Sequence, residues 1–361
     1  IDNKEKEVLN VPPLRFPEFT GEWQCKAIEK VAPLQRGFDL PTQNLVEGIY
    51  PVIYSNGILQ HHDKYKCEAP GLITGRSGTI GKFTYIDSGF YWPHNTSLWV
   101  TDFCGNCPKF IYYLYQTVHI EQFSTGSGVP TLNRNDVHRY KTSVPTAIVE
   151  QEKIAKFLSI LDERIVTQNK IIDKLQSLIK GINCKIFALI QGNEYRLGDI
   201  ATITNGNSNV QDASVEYRVG LYPFFDRSED VKYLPTFLFD KESIIYPGEG
   251  TEFMPRYYNG KFALHQRCYA ICDFNEAVNP QFLYFFLKTQ NSYFIRNAVG
   301  STVPSLRLDT FQKLKVVIPS KETQYSVYSF LSTLEQKLDV ENSIMKMLLC
   351  QKRYLLRQMF I

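Results

Sequence analysis

The sequence holds no apolar run of roughly eighteen residues, so no membrane-spanning helix is expected. It also lacks a strong charge of either sign: 40 Lys and Arg stand against 37 Asp and Glu, a net charge of +3. That excludes a histone-like polybasic binder. Site-specific DNA binding stays open, because only a phosphate-facing surface has to be positive. No apolar stretch follows the charged start Ile1-Asp2-Asn3-Lys4-Glu5-Lys6-Glu7, so no secretory signal is expected, and the missing Met implies a processed or incomplete start. The eight cysteines are scattered, which fits a reducing cytosol better than a disulfide framework.

Catalytic signatures are missing too. Gly75 to Lys82 superficially resembles a phosphate-binding loop, but the spacing of Gly75 and Gly81 is one residue too long and Phe83 follows Lys82 where Ser or Thr is needed. Asn279-Pro280-Gln281-Phe282 resembles an adenine-methyltransferase motif with the wrong third residue, and reads better as a helix cap. Cys104 and Cys107 have no second ligand pair for zinc, and His61-His62-Asp63 fares no better. No catalytic residue, metal or cofactor is expected.

What is abundant is self-similarity. Glu22-Trp23 matches Glu194-Tyr195 at an offset of 194 − 22 = 172, and at that offset Gly48-Ile49-Tyr50-Pro51 matches Gly220-Leu221-Tyr222-Pro223 and Gly78-Thr79 matches Gly250-Thr251. His94 pairs with His265 at 171, Phe157-Leu158-Ser159 with Phe330-Leu331-Ser332 at 173, and Gly126-Ser127-Gly128-Val129-Pro130 with Gly300-Ser301-Thr302-Val303-Pro304 at 174. A register held this closely marks a duplication.

Each copy opens with a module of short strand-like runs: Tyr50–Tyr54, Leu72–Thr74, Lys82–Ile86 and Leu98–Thr101, then Ile244–Tyr246 and Cys268–Cys272 in the second. A helix closes each module, over Lys109–Phe123 and Gln281–Asn297. Aromatic residues are plentiful, 22 Tyr and 24 Phe, and are expected to fill the cores rather than to stack or wedge against partners.

A long heptad-patterned helix follows each module. In the first, Leu158, Ile165, Ile172, Ile179 and Ile186 alternate with Leu161, Gln168, Leu175, Ile182 and Leu189. In the second, Leu331, Leu338, Met345, Lys352 and Met359 alternate with Leu334, Glu341, Leu348 and Leu355. Gln168 and Glu341 are polar breaks at the same position, 341 − 168 = 173 apart. The expected fold is α+β: two mixed modules and two long helices paired antiparallel, in a pseudo-twofold tandem repeat. The expected boundaries are 1–147 and 192–320 for the modules, 148–191 and 321–361 for the helices. A helix of about 40 residues is a rod of about 60 Å, and two similar modules on such a spacer suit a DNA target with two separated half-sites.

Val11-Pro12-Pro13-Leu14-Arg15-Phe16-Pro17-Glu18-Phe19 with Gly21-Glu22-Trp23, the Gly-Ser-x-Val-Pro turns at 126–130 and 300–304, and Leu72-Ile73-Thr74-Gly75-Arg76-Ser77-Gly78-Thr79-Ile80-Gly81 resemble the specificity subunits of Type I restriction-modification systems, over nearly the whole chain. The resemblance implies a cytoplasmic, non-catalytic subunit of a bacterial defence complex. Each module would read one half of a bipartite site in double-stranded DNA. The helices would serve as spacer and as docking surface for two methyltransferase subunits, which bring in translocase-nuclease subunits. Two rivals stand beside this: a coiled-coil protein-binding scaffold, and a stand-alone DNA methyltransferase or nuclease.

Candidate DNA contacts in the first module are Arg76, Ser77, Thr79 and Lys82 in the glycine-rich loop, with Gln35, Arg36, Asn56, His61 and Lys64 in other loops. In the second they are Asn207, Ser208, Arg227, Lys232, Glu249 and Thr251, and a basic-aromatic group of Arg256, Tyr258 and Lys261 with Arg267. Glu249 is expected to accept from cytosine N4. Residues shared by the copies are expected to serve scaffold or phosphate, and polar residues that differ, such as Gln35 and Arg36 against Asn207 and Ser208, to read bases.

Overall fold

The computed structural model describes residues 10–126 and 128–361; Ile1–Glu7 and Ser127 of the first Gly-Ser-x-Val-Pro turn lie outside the described residues. The chain forms two compact units. One comprises the chain up to Asn169 together with Ile344–Ile361; the other is Lys170–Ser343. The long helices run over Ile148–Leu189 and Lys321–Gln358, so each contributes one part to each unit.

In the first unit, Gln24–Ala27 pairs antiparallel with Lys141–Val144, which ties the start of the module to its end. One four-stranded sheet has the order Leu34–Arg36, Ser97–Val100, Gly71–Gly75, Phe83–Ile86; another has Gly57–His62, Tyr50–Tyr54, Phe90–Pro93, Cys67–Glu68. Gly71–Gly75 is buried throughout, with Leu72 and Ile73 in the core and the polar Thr74 buried beside them. The closing helix is shorter than its pattern suggests. It spans Pro108–Thr117, burying Phe110, Ile111, Tyr113, Leu114 and Tyr115. His119 then takes a left-handed backbone (φ 51°), and only a 3-10 turn follows over Ile120–Phe123.

In the second unit Asn193–Arg196 pairs with Lys315–Ile318, and six strands form one sheet in the order Thr202–Asn205, Cys268–Cys272, Phe239–Pro247, Arg256–Leu264, Tyr222–Phe225, Lys232–Leu234. This is the order of the first module with its two sheets fused. Arg256–Leu264 is continuous where the first copy has Phe83–Ile86 and Phe90–Pro93, interrupted at Gly89 (φ 85°). Both copies keep one parallel pair, Tyr50–Tyr54 with Phe90–Pro93 and Tyr222–Phe225 with Arg256–Leu264. The expected helix Gln281–Asn297 is two helices, Pro280–Lys288 and Asn291–Asn297. Asn279 caps the first through the Phe282 N–H (2.9 Å), and Thr289 ends it by turning its N–H and hydroxyl onto the Phe286 carbonyl.

The long helices run antiparallel within each unit. In the first, Glu150 and Phe360 both contact Trp23, while Asp162 pairs with Lys352 at 2.7 Å. In the second, Phe187 packs on Phe282 and Asn183 donates to the Phe285 carbonyl, so the first long helix runs against Pro280–Lys288. Gln324 accepts from the Asn279 N–H and Glu335 pairs with Lys288, so the second runs along it. Of the heptad residues, Leu158, Leu161, Gln168, Ile172, Leu331, Leu348, Leu355 and Met359 are buried; Ile165, Leu175, Ile179, Leu334, Leu338, Glu341 and Met345 are half-buried. Leu189, at the helix end, is exposed.

Two buried glutamines fasten each module to its own helix. Gln151 donates to the Asn106 side chain and the Pro145 carbonyl (both 2.9 Å) and accepts the Cys107 N–H (2.9 Å). Gln324 donates to the Ala277 and Pro319 carbonyls (2.9 and 3.0 Å) and accepts the Asn279 N–H at 2.7 Å. The two lie one repeat apart, 324 − 151 = 173, each seven residues before the first apolar member of its heptad series, Leu158 and Leu331, where a polar residue stands outside the apolar pattern.

Candidate nucleic-acid interface

In both copies the same hydrogen bonds draw five loops together. The Leu132 N–H donates to the Arg76 carbonyl (2.8 Å) and the Gly78 N–H to the Pro130 carbonyl (3.0 Å). In the second copy Leu306 donates to Gly248 (2.8 Å) and Gly250 to Pro304 (3.0 Å). The Gly-Ser-x-Val-Pro turn is therefore a brace for the glycine-rich loop. His94 and His265 donate their N–H to the Ile53 and Phe225 carbonyls (both 2.9 Å) and form bridges to Phe38 and Ser208. Burial holds both imidazoles below the usual histidine range, so they are uncharged at neutral pH and belong to the frame.

This frame corrects one expected correspondence. Gly37 and Gly206 both donate to the turn after the histidine, through the Ser97 and Cys268 carbonyls, and both press so closely on the carbonyls around it that a Cβ has no room. The local offset is thus 206 − 37 = 169. Gln35 and Arg36 correspond to Thr204 and Asn205, not to Asn207 and Ser208, as the ladders Gln35↔Trp99 and Thr204↔Ala270 also show.

In the first unit a concavity of about 400 Å³ is lined by Arg36, Arg76 and Arg134, with Thr125, Thr131 and Asn133. Arg134 was not singled out from the sequence; it opens the short helix Arg134–Arg139, a segment with no distinctive pattern. Arg36 is held by Asp39 at 2.9 Å, and Asp39 also receives the Asn95 amide. Ser77 is half-buried, while Gln35, Thr79 and Lys82 are exposed. Asn56 is exposed at the turn of the hairpin Tyr50–His62, and Ser55 beside it approaches Gly75. His61 and Lys64 are exposed at the opposite end of that hairpin, away from the loop. His62 is buried against Trp92 and bonded to Val46, a structural role.

In the second unit Asn207 and Thr251 are exposed and Ser208 is half-buried. Lys232 pairs with buried Asp226 at 2.6 Å. Burial works to raise the Asp226 pKa, but the Lys232 and Ser228 hydrogen bonds outweigh it and hold the carboxyl below its usual range. The group Arg256, Tyr258 and Lys261 is not one surface, because a strand sends alternate side chains to opposite faces. Arg256 turns onto the Ser228 and Asp226 carbonyls, and Tyr258 packs on Phe225 and Phe262. Tyr257 faces the other core, bonded to Glu242, with its pKa pushed up to about 12 by burial and that bond. Lys261 lies over the Phe237 ring, 3.9 Å from Asp240. Glu249 is already engaged: Arg267 donates to it at 2.8 and 3.1 Å and Arg227 at 3.1 Å.

The glycine-rich loop depends on Gly75, where any Cβ would fall on the Thr79 carbonyl. Gly75→Ala is expected to cost about 1–3 kcal/mol. Hydrogen exchange should show lost amide protection around 76–82, with the second unit unchanged.

The fold defines a class of protein: a tandem duplication in which each copy joins a sheet-and-helix module to one long helix. A family model, the Type I restriction modification DNA specificity domain, matches residues 20–177 and again 192–348, and the chain belongs to that family. It is 30% identical over 138 residues, 38% of its length, to the Type I restriction enzyme EcoDI specificity subunit of Escherichia coli. That match spans 30% of the relative's length. The fold resembles the crystal structure of a Type-I restriction-modification system S subunit from M. genitalium, with a TM-score of 0.66 at 20% identity, covering 97% of this chain and 99% of that one. A chain from a structural study of type I R-M complex assembly and conformational transition matches with a TM-score of 0.56 at 13% identity, over 92% and 96%. Among the described residues no helix is long and apolar enough to cross a membrane.

Proposed function

We propose that this chain is the DNA-recognition subunit of a Type I restriction-modification complex, and that each module reads one half of a bipartite site. The observation that carries this is the pairing of one loop frame with two loop chemistries. The same backbone bonds recur in both copies, yet the loops present Arg36, Arg76 and Arg134 in one and Arg227, Glu249 and Arg267 in the other. A shared frame with divergent polar side chains suits two readers of different sequences. Gln35, Asn56, Ser77, Thr79 and Lys82 join the first surface in this reading, and Asn207, Ser208 and Thr251 the second. Arg256, Tyr258 and Lys232 support it from behind.

The helices act as spacer and as docking surface for two methyltransferase subunits, through which translocase-nuclease subunits join. The subunit itself carries no catalytic step. Ile160, Val166, Leu178, Val340, Met347 and Tyr354 leave apolar surface exposed on the long helices, which supports docking there.

Selection of preferred duplexes from a random library, with the chain co-purified with its methyltransferase, tests the reading. A bipartite consensus is expected, and exchanging the module Tyr195–Pro319 should change one half only. Inserting one heptad into both helices lengthens each by about 10 Å and should widen the gap by about three base pairs. A contiguous site, or a consensus that ignores the exchanged module, overturns two-module reading. An unchanged gap overturns the spacer role.

A further inference from the structure

The second module carries an ionic clasp with no counterpart among the described residues of the first. Glu249 lies between Arg227 and Arg267, its side chain only 15% exposed while theirs are 56% and 60% exposed. The backbones of all three are pinned. Glu249 forms a bridge to Ser305, Arg227 lies between Asp226 and Ser228, which are bonded to each other, and the Arg267 N–H donates to the His265 ring at 3.2 Å. In the frame set by the two histidines and the glycine-rich loops, the first-copy counterparts are Ser55 (227 − 55 = 172), Ser77 (249 − 77 = 172) and Thr96 (267 − 96 = 171). Three neighbouring positions thus differ together, Arg-Glu-Arg against Ser-Ser-Thr, within the shared loop frame; beside Ser55 the hairpin pairs to its tip at Tyr54↔Gly57, whereas beside Arg227 the pairing stops at Phe224↔Lys232.

The donors used in the clasp are informative. Each arginine gives Glu249 only its Nη1, and Nη2 and Nε have no other hydrogen bond among the described residues. A guanidinium needs two adjacent donors to grip guanine O6 and N7, and that edge remains available in both. A carboxylate between two guanidiniums also offsets their repulsion and fixes two long side chains before DNA arrives, which lowers the entropy lost on binding.

We propose that Glu249 is a positioning residue holding Arg227 and Arg267 as a fixed pair of guanine readers, so that the half-site of the second module contains guanine. This rests on each module reading a half-site, and it replaces direct readout of cytosine by Glu249: the carboxylate acts through its arginines.

The test uses the full chain with its methyltransferase subunits and duplexes carrying 7-deazaguanine, which lacks the N7 acceptor, at guanines of the second half-site. Wild type is expected to lose roughly 5- to 100-fold in affinity. Glu249→Gln should shrink that penalty to a few-fold at most, while penalties for base changes in the first half-site stay as they are. A merely structural role for Glu249 would weaken binding to every second half-site alike, with guanine or 7-deazaguanine, and leave the penalty at its wild-type size. Replacing Arg227, Glu249 and Arg267 by Ser, Ser and Thr, residues the shared frame already accommodates in the first copy, should abolish the 7-deazaguanine penalty with the fold intact. A second half-site without guanine, a wild-type complex indifferent to 7-deazaguanine, or a penalty unchanged in Glu249→Gln overturns the proposal. If the consensus still follows module exchange in those cases, only the clasp is overturned. If it does not follow, two-module reading is.

Discussion

Deleting residues 344–361 is expected to unfold the unit they form with the first module, whose other segment ends 344 − 169 = 175 residues earlier in sequence, and to leave Lys170–Ser343 folded. Leu348, Leu355, Met359 and Phe360 are buried in the core that holds Trp23, Phe110 and Leu158. Phe360 stacks on Phe110 at 5.3 Å, and Lys352 pairs with Asp162. Four such side chains contribute roughly 6–12 kcal/mol by burial, against a total stability for a domain of about 5–15 kcal/mol. Hydrogen exchange by mass spectrometry reads both units in one sample. Retained protection in the sheets of the first module would sink the expectation, as would loss confined to the second.

Arg15→Met is expected to cost about 3–5 kcal/mol, measured by denaturant unfolding. Arg15 grips Glu150 through Nε (2.7 Å) and Nη2 (2.8 Å), and Trp23 Nε1 donates to the same carboxylate at 3.1 Å. Glu150 is only 2% exposed, so removing the guanidinium strands a buried charge. The double variant Arg15→Met and Glu150→Leu should recover most of the loss, because two apolar groups leave no carboxylate behind. A double variant no more stable than the single one would place the cost in packing, where Phe16 meets Phe157.

The duplication and the long helices were legible because both are periodic, and periodicity survives without coordinates. Strand positions followed from the same local patterns, as with Tyr50–Tyr54 and Cys268–Cys272. The order of strands depends on which distant runs pair, and no local pattern carries that. Helix ends went astray where one backbone choice decides, at His119 and at Thr289. In the site, the glycine-rich loop and Glu249 stood out by composition and by comparing copies. The slip at Gly37 and Gly206 did not, since it arises from close backbone approach. Arg256 and Lys261 read as members of one group, although a strand sends their side chains to opposite faces. Arg134 joins Arg36 and Arg76 only through folding.

The Leu14 N–H donates to the Gln358 carbonyl at 2.9 Å. Topologically the described chain is close to a ring, and on a ring neither copy comes first. A permuted gene that links residue 361 to residue 10 and opens at Gln191 would present the modules in reversed order with every described contact available. Gene order and module identity would then be uncoupled, so that recombination within the repeat could trade one module for another without disturbing the frame that holds it.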